Sequence, residues 1–325
     1  MQMRAVVLDG PVAAGELRVS RVAVPEPEPG WVRIKVEAFG LNRSEYHLRA
    51  GLATGARFPV IPGIEAAGTV DLAPGGEFTP GQQVVAMMGG MGRQYDGGYA
   101  EYTVVPASSV IPVETKLDWA TLGALPEMLQ TAHGSLYTGL DIQPGQTFLV
   151  RGGTSSVGVA AAVLAKDHGL TVLSTTRNPE RLELLRELGV DHPLLDDGNL
   201  AESVRKLFPD GVNAALELVG TNVLPDTLKA TAVHGTVCFT GMLSDAWTIP
   251  DFYPMDYLPN GVRLTAYSGE SSDLPAAAFQ RYVDLVADGR LPIRVDRVFA
   301  MEEIAEAHQV MEDGRAVGKL VVRVN

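Results

Sequence analysis

The sequence predicts an α/β fold in which a parallel-sheet domain is inserted into a β-rich domain built from both ends of the chain. Three observations predict it. The first third reads as short strands punctuated by glycine and proline, strands alternate with helical stretches from about Leu117 onward, and the tail returns to mixed structure. A chain of 325 residues is also too long for one small core and suits two domains.

In the first third, residues 4–8 (RAVVL) form a short apolar strand candidate and 25–30 (PEPEPG) a loop. Residues 31–38 (WVRIKVEA) alternate with period two, as a half-buried strand does. Residues 68–70, 83–86 and 99–105 continue the pattern. Further on, 147–150 (TFLV) reads as a buried strand, 157–168 as a helix ended by Gly169, and 170–176 as the next strand. Residues 179–188 read as a charged amphipathic helix stopped by Gly189. Strands at 214–219 and 235–241 follow, then a helix at about 301–312 and a closing strand at 319–324. Strand and helix in alternation imply a parallel sheet with crossovers.

Composition narrows the function classes. Hydrophobic residues are 46% and charged residues 20%, as in a globular protein. A formal net charge of -13 argues against a nucleic-acid backbone or an anionic membrane as partner. The single cysteine, Cys238, can form neither an internal disulfide nor a four-cysteine zinc site. No signal-like segment opens the chain and no 18 apolar residues run together, so a cytoplasmic location is expected. No repeat of fixed period is present.

Residues 150–158 read VRGGTSSVG, after a strand and at the opening of a helix. In that context early glycines let the backbone turn and approach a diphosphate, and the last glycine lets helix and strand pack closely. The helix N-terminus adds free N–H groups and partial positive charge. The three places of the G-x-G-x-x-G fingerprint hold Gly153, Ser155 and Gly158, with Thr154, Ser156 and Val157 between and around them. A serine at the second place costs backbone freedom and adds a hydroxyl able to donate to phosphate. The alternative is a tight strand-to-helix turn without a ligand.

The next strand points to NADP(H). Strands that select NAD end in Asp or Glu, which binds the ribose 2′-hydroxyl. This one ends Ser174, Thr175, Thr176, Arg177, with Arg181 one turn on. An acid would repel a 2′-phosphate, whereas arginine binds it through paired hydrogen bonds. Both arginines can alternatively be ordinary helix-surface residues.

Residues 40–42 (GLN), 62–68 (PGIEAAG), 97–102 (GGYAEY), the glycine loop, 187–189 (ELG) and 318–321 (GKLV) together resemble the medium-chain dehydrogenase/reductase superfamily. Within it the chain is similar to the zinc-free quinone oxidoreductase, zeta-crystallin-like, branch, over essentially its whole length. The resemblance implies a GroES-like catalytic domain from residues 1–120 plus 268–325. It implies an inserted Rossmann doubly wound parallel-sheet domain at 121–267, an NADP(H) cleft between the two, and often a homodimer. In zinc-dependent relatives, cysteine, histidine and cysteine stand where this chain has Asn42, Ile64 and Glu127. A catalytic zinc needs about three N, S or O ligands, so no metal site is expected and one carboxylate does not make one.

The resemblance places Asn42 near the nicotinamide, with Tyr46, His47, Glu127 and His133 as nearby polar candidates. Asn42 and Tyr46 are the expected catalytic residues, Tyr46 or water supplying the proton. The expected cofactor-binding residues are Asn42, Thr131, Gly153, Thr154, Ser155, Ser156, Val157, Thr176, Arg177, Arg181, Phe239, Thr240 and Gly241. Lys319 is a weaker candidate, read as pairing a local carboxylate. The chain departs from the family pattern at Ser155 and Ser156, at 127–130, and at Asp196, where some relatives have a tyrosine near the adenosine. The implied activity is NADPH-dependent hydride transfer to a small-molecule quinone or α,β-unsaturated carbonyl. The alternative is an NADPH-binding sensor or structural protein with little turnover, and a zinc alcohol dehydrogenase is disfavoured by the missing ligands.

Overall fold

The computed structural model describes residues 1–325. The chain divides into two compact units: Met1–Gln130 with Glu270–Arg290 and Arg294–Asn325, and Thr131–Gly269 with Leu291–Ile293.

The first unit is built on strand Trp31–Gly40, whose inward residues Val32, Ile34, Val36 and Ala38 are fully buried. It pairs antiparallel with Glu65–Leu72, Tyr102–Pro106 and the C-terminal strand Lys319–Arg323. Gln83–Met87, Val110–Pro112 and Val295–Ala300 complete a seven-stranded sheet. Gln2–Val6 and Val19–Ala23 form a separate antiparallel pair. The tail therefore closes the sheet begun by the N-terminal third, so the first unit is made from both ends of the chain. Its core runs through Ile34, Phe39, Val84, Ala86, Phe299, Leu320 and Val322. The strand reading at residues 99–105 is shifted: the strand is Tyr102–Pro106, and Ala100 makes only an isolated bridge to Ala5.

The second unit holds six strands, every pair parallel, in the spatial order His192–Leu195, Thr171–Thr176, Thr147–Arg151, Val212–Glu217, Thr231–Phe239, Arg263–Ala266. Numbered within the unit, that order is third, second, first, fourth, fifth, sixth: the doubly wound dinucleotide arrangement. Helices cover the sheet, so its strands are continuous apolar runs rather than alternating ones, and Leu149, Leu173, Ala215 and Val237 are fully buried. The direction of winding reverses between Thr147–Arg151 and Val212–Glu217, whose last residues, Arg151 and Glu217, face each other in register. In such sheets ligands bind outside the carboxyl ends of the strands at this point.

Two expected helices begin with a tight 3-10 turn. Pro179–Arg181 precedes Leu182–Glu187, and Met301–Glu303 precedes Ile304–Glu312. Helix Trp119–Gly134 was not apparent from periodicity. No helix is long and apolar enough to cross a membrane.

Candidate functional site

The glycine loop starts at the buried end of strand Thr147–Arg151. Gly152 adopts φ +91, a left-handed conformation that strains any L side chain. Gly153 donates its N–H to the Thr175 carbonyl at 3.0 Å, and a Cβ there would overlap Ser174 Oγ. A Cβ on Gly158 would collide with the Gly152 carbonyl oxygen and lie 2.8 Å from Gly153 Cα. Close backbone approach thus requires glycine at 158, whereas at 153 the crowding comes from the Ser174 side chain.

Ser155 behaves differently from the sequence reading. Its φ of -75 and ψ of 163 are ordinary extended values, so it carries no strain. It is the N-cap of helix Ser156–Asp167: Oγ accepts from Gly158 N–H at 3.1 Å and donates to the Gly152 carbonyl at 2.8 Å. A hydroxyl has one proton, and this one is directed into the loop rather than outward to phosphate. Serine at this position supplies a side-chain acceptor that caps the helix. The Ser156 and Val157 N–H groups that follow have no partner in the chain. They are the anion-binding donors of the first helical turn.

At the end of strand Thr171–Thr176, Thr175 Oγ1 accepts from Gly152 N–H at 3.1 Å, and Ser174 Oγ is buried with no partner. Thr176 Oγ1 accepts from Asn178 N–H at 3.1 Å, and Asn178 Oδ1 caps the Pro179–Arg181 turn. This turn places Arg177 on the surface, exposed and in no ion pair. Arg181 closes the turn, half-buried. No carboxylate stands at the end of this strand.

Beyond strand Thr231–Phe239, the N–H groups of Thr240 and Gly241 both donate to the Glu217 carbonyl, at 3.0 and 3.1 Å. Ser135 Oγ donates to the Thr131 carbonyl at 2.7 Å and lies 3.0 Å from Thr240 Oγ1. Ser135 and Glu217 thus fix segments that contain expected cofactor residues, although neither had a motif to mark it. The Glu217 carboxylate is fully buried and accepts from Val219 N–H, Gly220 N–H and Thr227 Oγ1. Burial pushes its pKa up to about 7, against the opposing effect of those hydrogen bonds.

In the first unit, Asn42 precedes helix Arg43–Arg49. Its Oδ1 accepts from Lys319 Nζ at 2.5 Å and its Nδ2 donates to Glu65 Oε1 at 2.9 Å. Lys319 Nζ also pairs with Glu65 at 2.7 Å and Glu127 at 3.1 Å. Lys319 is therefore the hub of a buried network that also includes Glu45, which accepts from the N–H groups of Asn42 and Ile64. Burial opposes the Lys319 charge, but Glu65 and Glu127 outweigh it and raise its pKa. Burial lifts Glu45 to about 7. Tyr46 is half-buried with the Arg43 and Arg49 guanidinium carbons 4.3 and 5.5 Å from its ring centroid. His47 is buried beside it. His133, in the second unit, packs on Tyr137 with ring centroids 4.6 Å apart.

Residues 28–115 match the alcohol dehydrogenase GroES-like domain family, and residues 188–322 match the family described as zinc-binding dehydrogenase. Human quinone oxidoreductase is 27% identical over 313 residues, covering 93% of this chain and 92% of its own. A mycobacterial structure complexed with NADPH has a TM-score of 0.87 at 26% identity, covering 99% of this chain and 100% of that one. An NAD-dependent alcohol dehydrogenase structure has a TM-score of 0.89 at 27% identity, with the same coverage. The chain belongs to the medium-chain dehydrogenase/reductase superfamily. Within that superfamily it is a quinone oxidoreductase-like member of an NAD(P)-binding oxidoreductase family. The NADPH and NAD named for two such similar structures show that the shared fold does not choose the nucleotide.

The donor set does not fit a catalytic zinc. Ile64 offers no ligand atom, and Asn42 and Glu127 both accept from the same ammonium. The nucleotide loop, with two open N–H groups, a close-packed glycine pair and an exposed arginine, does fit a dinucleotide.

Proposed function

We propose that this chain is an NADPH-dependent, zinc-independent reductase of quinones or α,β-unsaturated carbonyls. The observation that carries the reading is Arg177, exposed and without an ion pair at the end of a strand that bears no acid. When bound, NADPH supplies the hydride. Ser156 and Val157 N–H groups hold the diphosphate, beside Gly153 and Thr154. Arg177 and Arg181 hold the 2′-phosphate next to Thr176. Thr131 and the backbone of Phe239, Thr240 and Gly241 flank the nicotinamide. Asn42 orients substrate or cofactor from a fixed position, because both ends of its amide are already bonded. Tyr46 or water supplies the proton. A flat, electron-poor acceptor needs no metal activation, so the contribution of the protein is orientation and exclusion of water. A homodimer is the proposed assembly.

The test follows 340 nm absorbance of NADPH, then NADH, with ortho- and para-quinones and simple enones, EDTA present throughout. NADPH-selective oxidation that survives the chelator supports the reading. Tight NADPH binding without oxidation by any acceptor would replace it with a sensor or structural role.

A further inference from the structure

Arg151 is the last residue of the first strand of the parallel sheet and is fully buried. Its fork grips Asp196 with two parallel bonds, Nε to Oδ2 at 2.7 Å and Nη2 to Oδ1 at 2.8 Å. Its Nη1 donates to Asp226, the Val223 carbonyl and Thr227. Asp226 is held in turn by the N–H groups of Leu200 and Ala201.

The location of Asp196 gives this pair its meaning. Leu195 pairs in register with Thr176, and Asp196 N–H donates to the Thr176 carbonyl at 2.9 Å. Asp196 is thus one strand spacing, about 5 Å, from the backbone of Arg177. A free carboxylate there would oppose a 2′-phosphate bound by Arg177 and Arg181. The strand itself lacks an acid, but the neighbouring strand brings one to its end. We propose that Arg151 is a positioning residue for cofactor specificity: it turns the Asp196 carboxylate inward and offsets part of its charge, leaving the 2′-phosphate site to Arg177 and Arg181. This rests on the NADP(H) reading and names the residue that makes the site selective.

The experiment is calorimetric titration of the full chain with NADPH and with NADH, which requires no turnover. In Arg151→Met the NADPH Kd should rise about tenfold or more and the NADH Kd by less than about threefold, because only NADPH carries the extra phosphate. Asp196→Asn alone should leave both within about threefold of wild type, its carboxylate being already paired and turned away from the phosphate. The double variant R151M/D196N should recover NADPH binding to within about threefold. A purely structural loss would weaken both nucleotides together and would not be rescued by removing the Asp196 charge. Equal losses in R151M, or no rescue in the double variant, overturn the proposal. If R151M does not fold, Asp196→Asn decides: a gain in NADPH affinity of about tenfold would show that the paired carboxylate still repels the phosphate, and would overturn it. Wild type that prefers NADH overturns the cofactor reading and this proposal with it. Wild type that prefers NADPH, alongside R151M that keeps the preference, overturns the Arg151 role alone.

Discussion

Lys319 Nζ lies 2.7 Å from Glu65 Oε1, and neither side chain is exposed to solvent. The same ammonium pairs with Glu127 and donates to Asn42, so one cation offsets more than one buried carboxylate. Removing one member of a buried pair leaves the other charge uncompensated. Lys319→Met should therefore destabilise the protein by about 3–5 kcal/mol in urea unfolding followed by circular dichroism. Lys319→Met with Glu65→Gln should recover part of that loss. A single variant as stable as wild type would show that the network does not hold the strand Lys319–Arg323 against the first unit's sheet.

Arg177 and Arg181 give the second prediction. A guanidinium binds a 2′-phosphate with paired, charge-assisted bonds and has no equivalent group to bind on NADH. Arg177→Ala and Arg181→Ala should each weaken NADPH by about tenfold and leave NADH within about twofold, read as Kd. Equal losses for both nucleotides would sink the assignment of these residues to the 2′-phosphate.

Ser155 separates a capping role from a phosphate contact. Its only proton goes to the Gly152 carbonyl, and its oxygen caps the helix. Ser155→Ala should then cost about 0.5–2 kcal/mol of stability, and Ser155→Gly only a few tenths. NADPH affinity should change little in Ser155→Gly. Gly158→Ala should cost both stability and NADPH affinity, because the clash is with the backbone of Gly152 and Gly153, which no side-chain rotation relieves. Titration of the two variants compares them directly: a larger NADPH loss in S155G than in G158A would contradict the capping role.

The legible parts of the molecule are the local ones. The loop from Gly152 to Gly158 and its flanking strand and helix follow from turn chemistry within a few residues. The parallel sheet follows from apolar runs separated by helical stretches. Helix Trp119–Gly134 was not legible, because it is apolar on most sides and contains Pro126, so no 3.6-residue stripe marks it. From sequence Lys319 shows no more than a local pair, since its partners Asn42, Glu65 and Glu127 lie far away in sequence. Arg151 adjoins the most visible motif, but no local pattern marks it, because its partners Asp196 and Asp226 come from distant parts of the chain. Burial and pairing of charges depend on tertiary contacts that no short pattern encodes.

Glu217 gives the last prediction, a pH dependence. Burial raises its pKa in the folded chain from 4.5 to about 7. The folded state then binds more protons than the unfolded state between those values, so stability falls as pH rises through the window. The contribution is fully present below about pH 4.5 and is lost above about pH 7. A shift of this size corresponds to about 3 kcal/mol, an upper figure because Arg151 and the capping N–H groups relax around the ionised form. Glu217→Gln keeps the acceptor oxygen for the Val219 and Gly220 N–H groups and cannot ionise. Urea unfolding of wild type and Glu217→Gln at several pH values between 5 and 8 should show the variant losing less stability with rising pH. Glu45, also raised to about 7 in the first unit, keeps a residual slope in the variant. Identical slopes for the two proteins would mean that Glu217 is ionised throughout, held by Arg151 across the register pair at the point where the sheet reverses its winding.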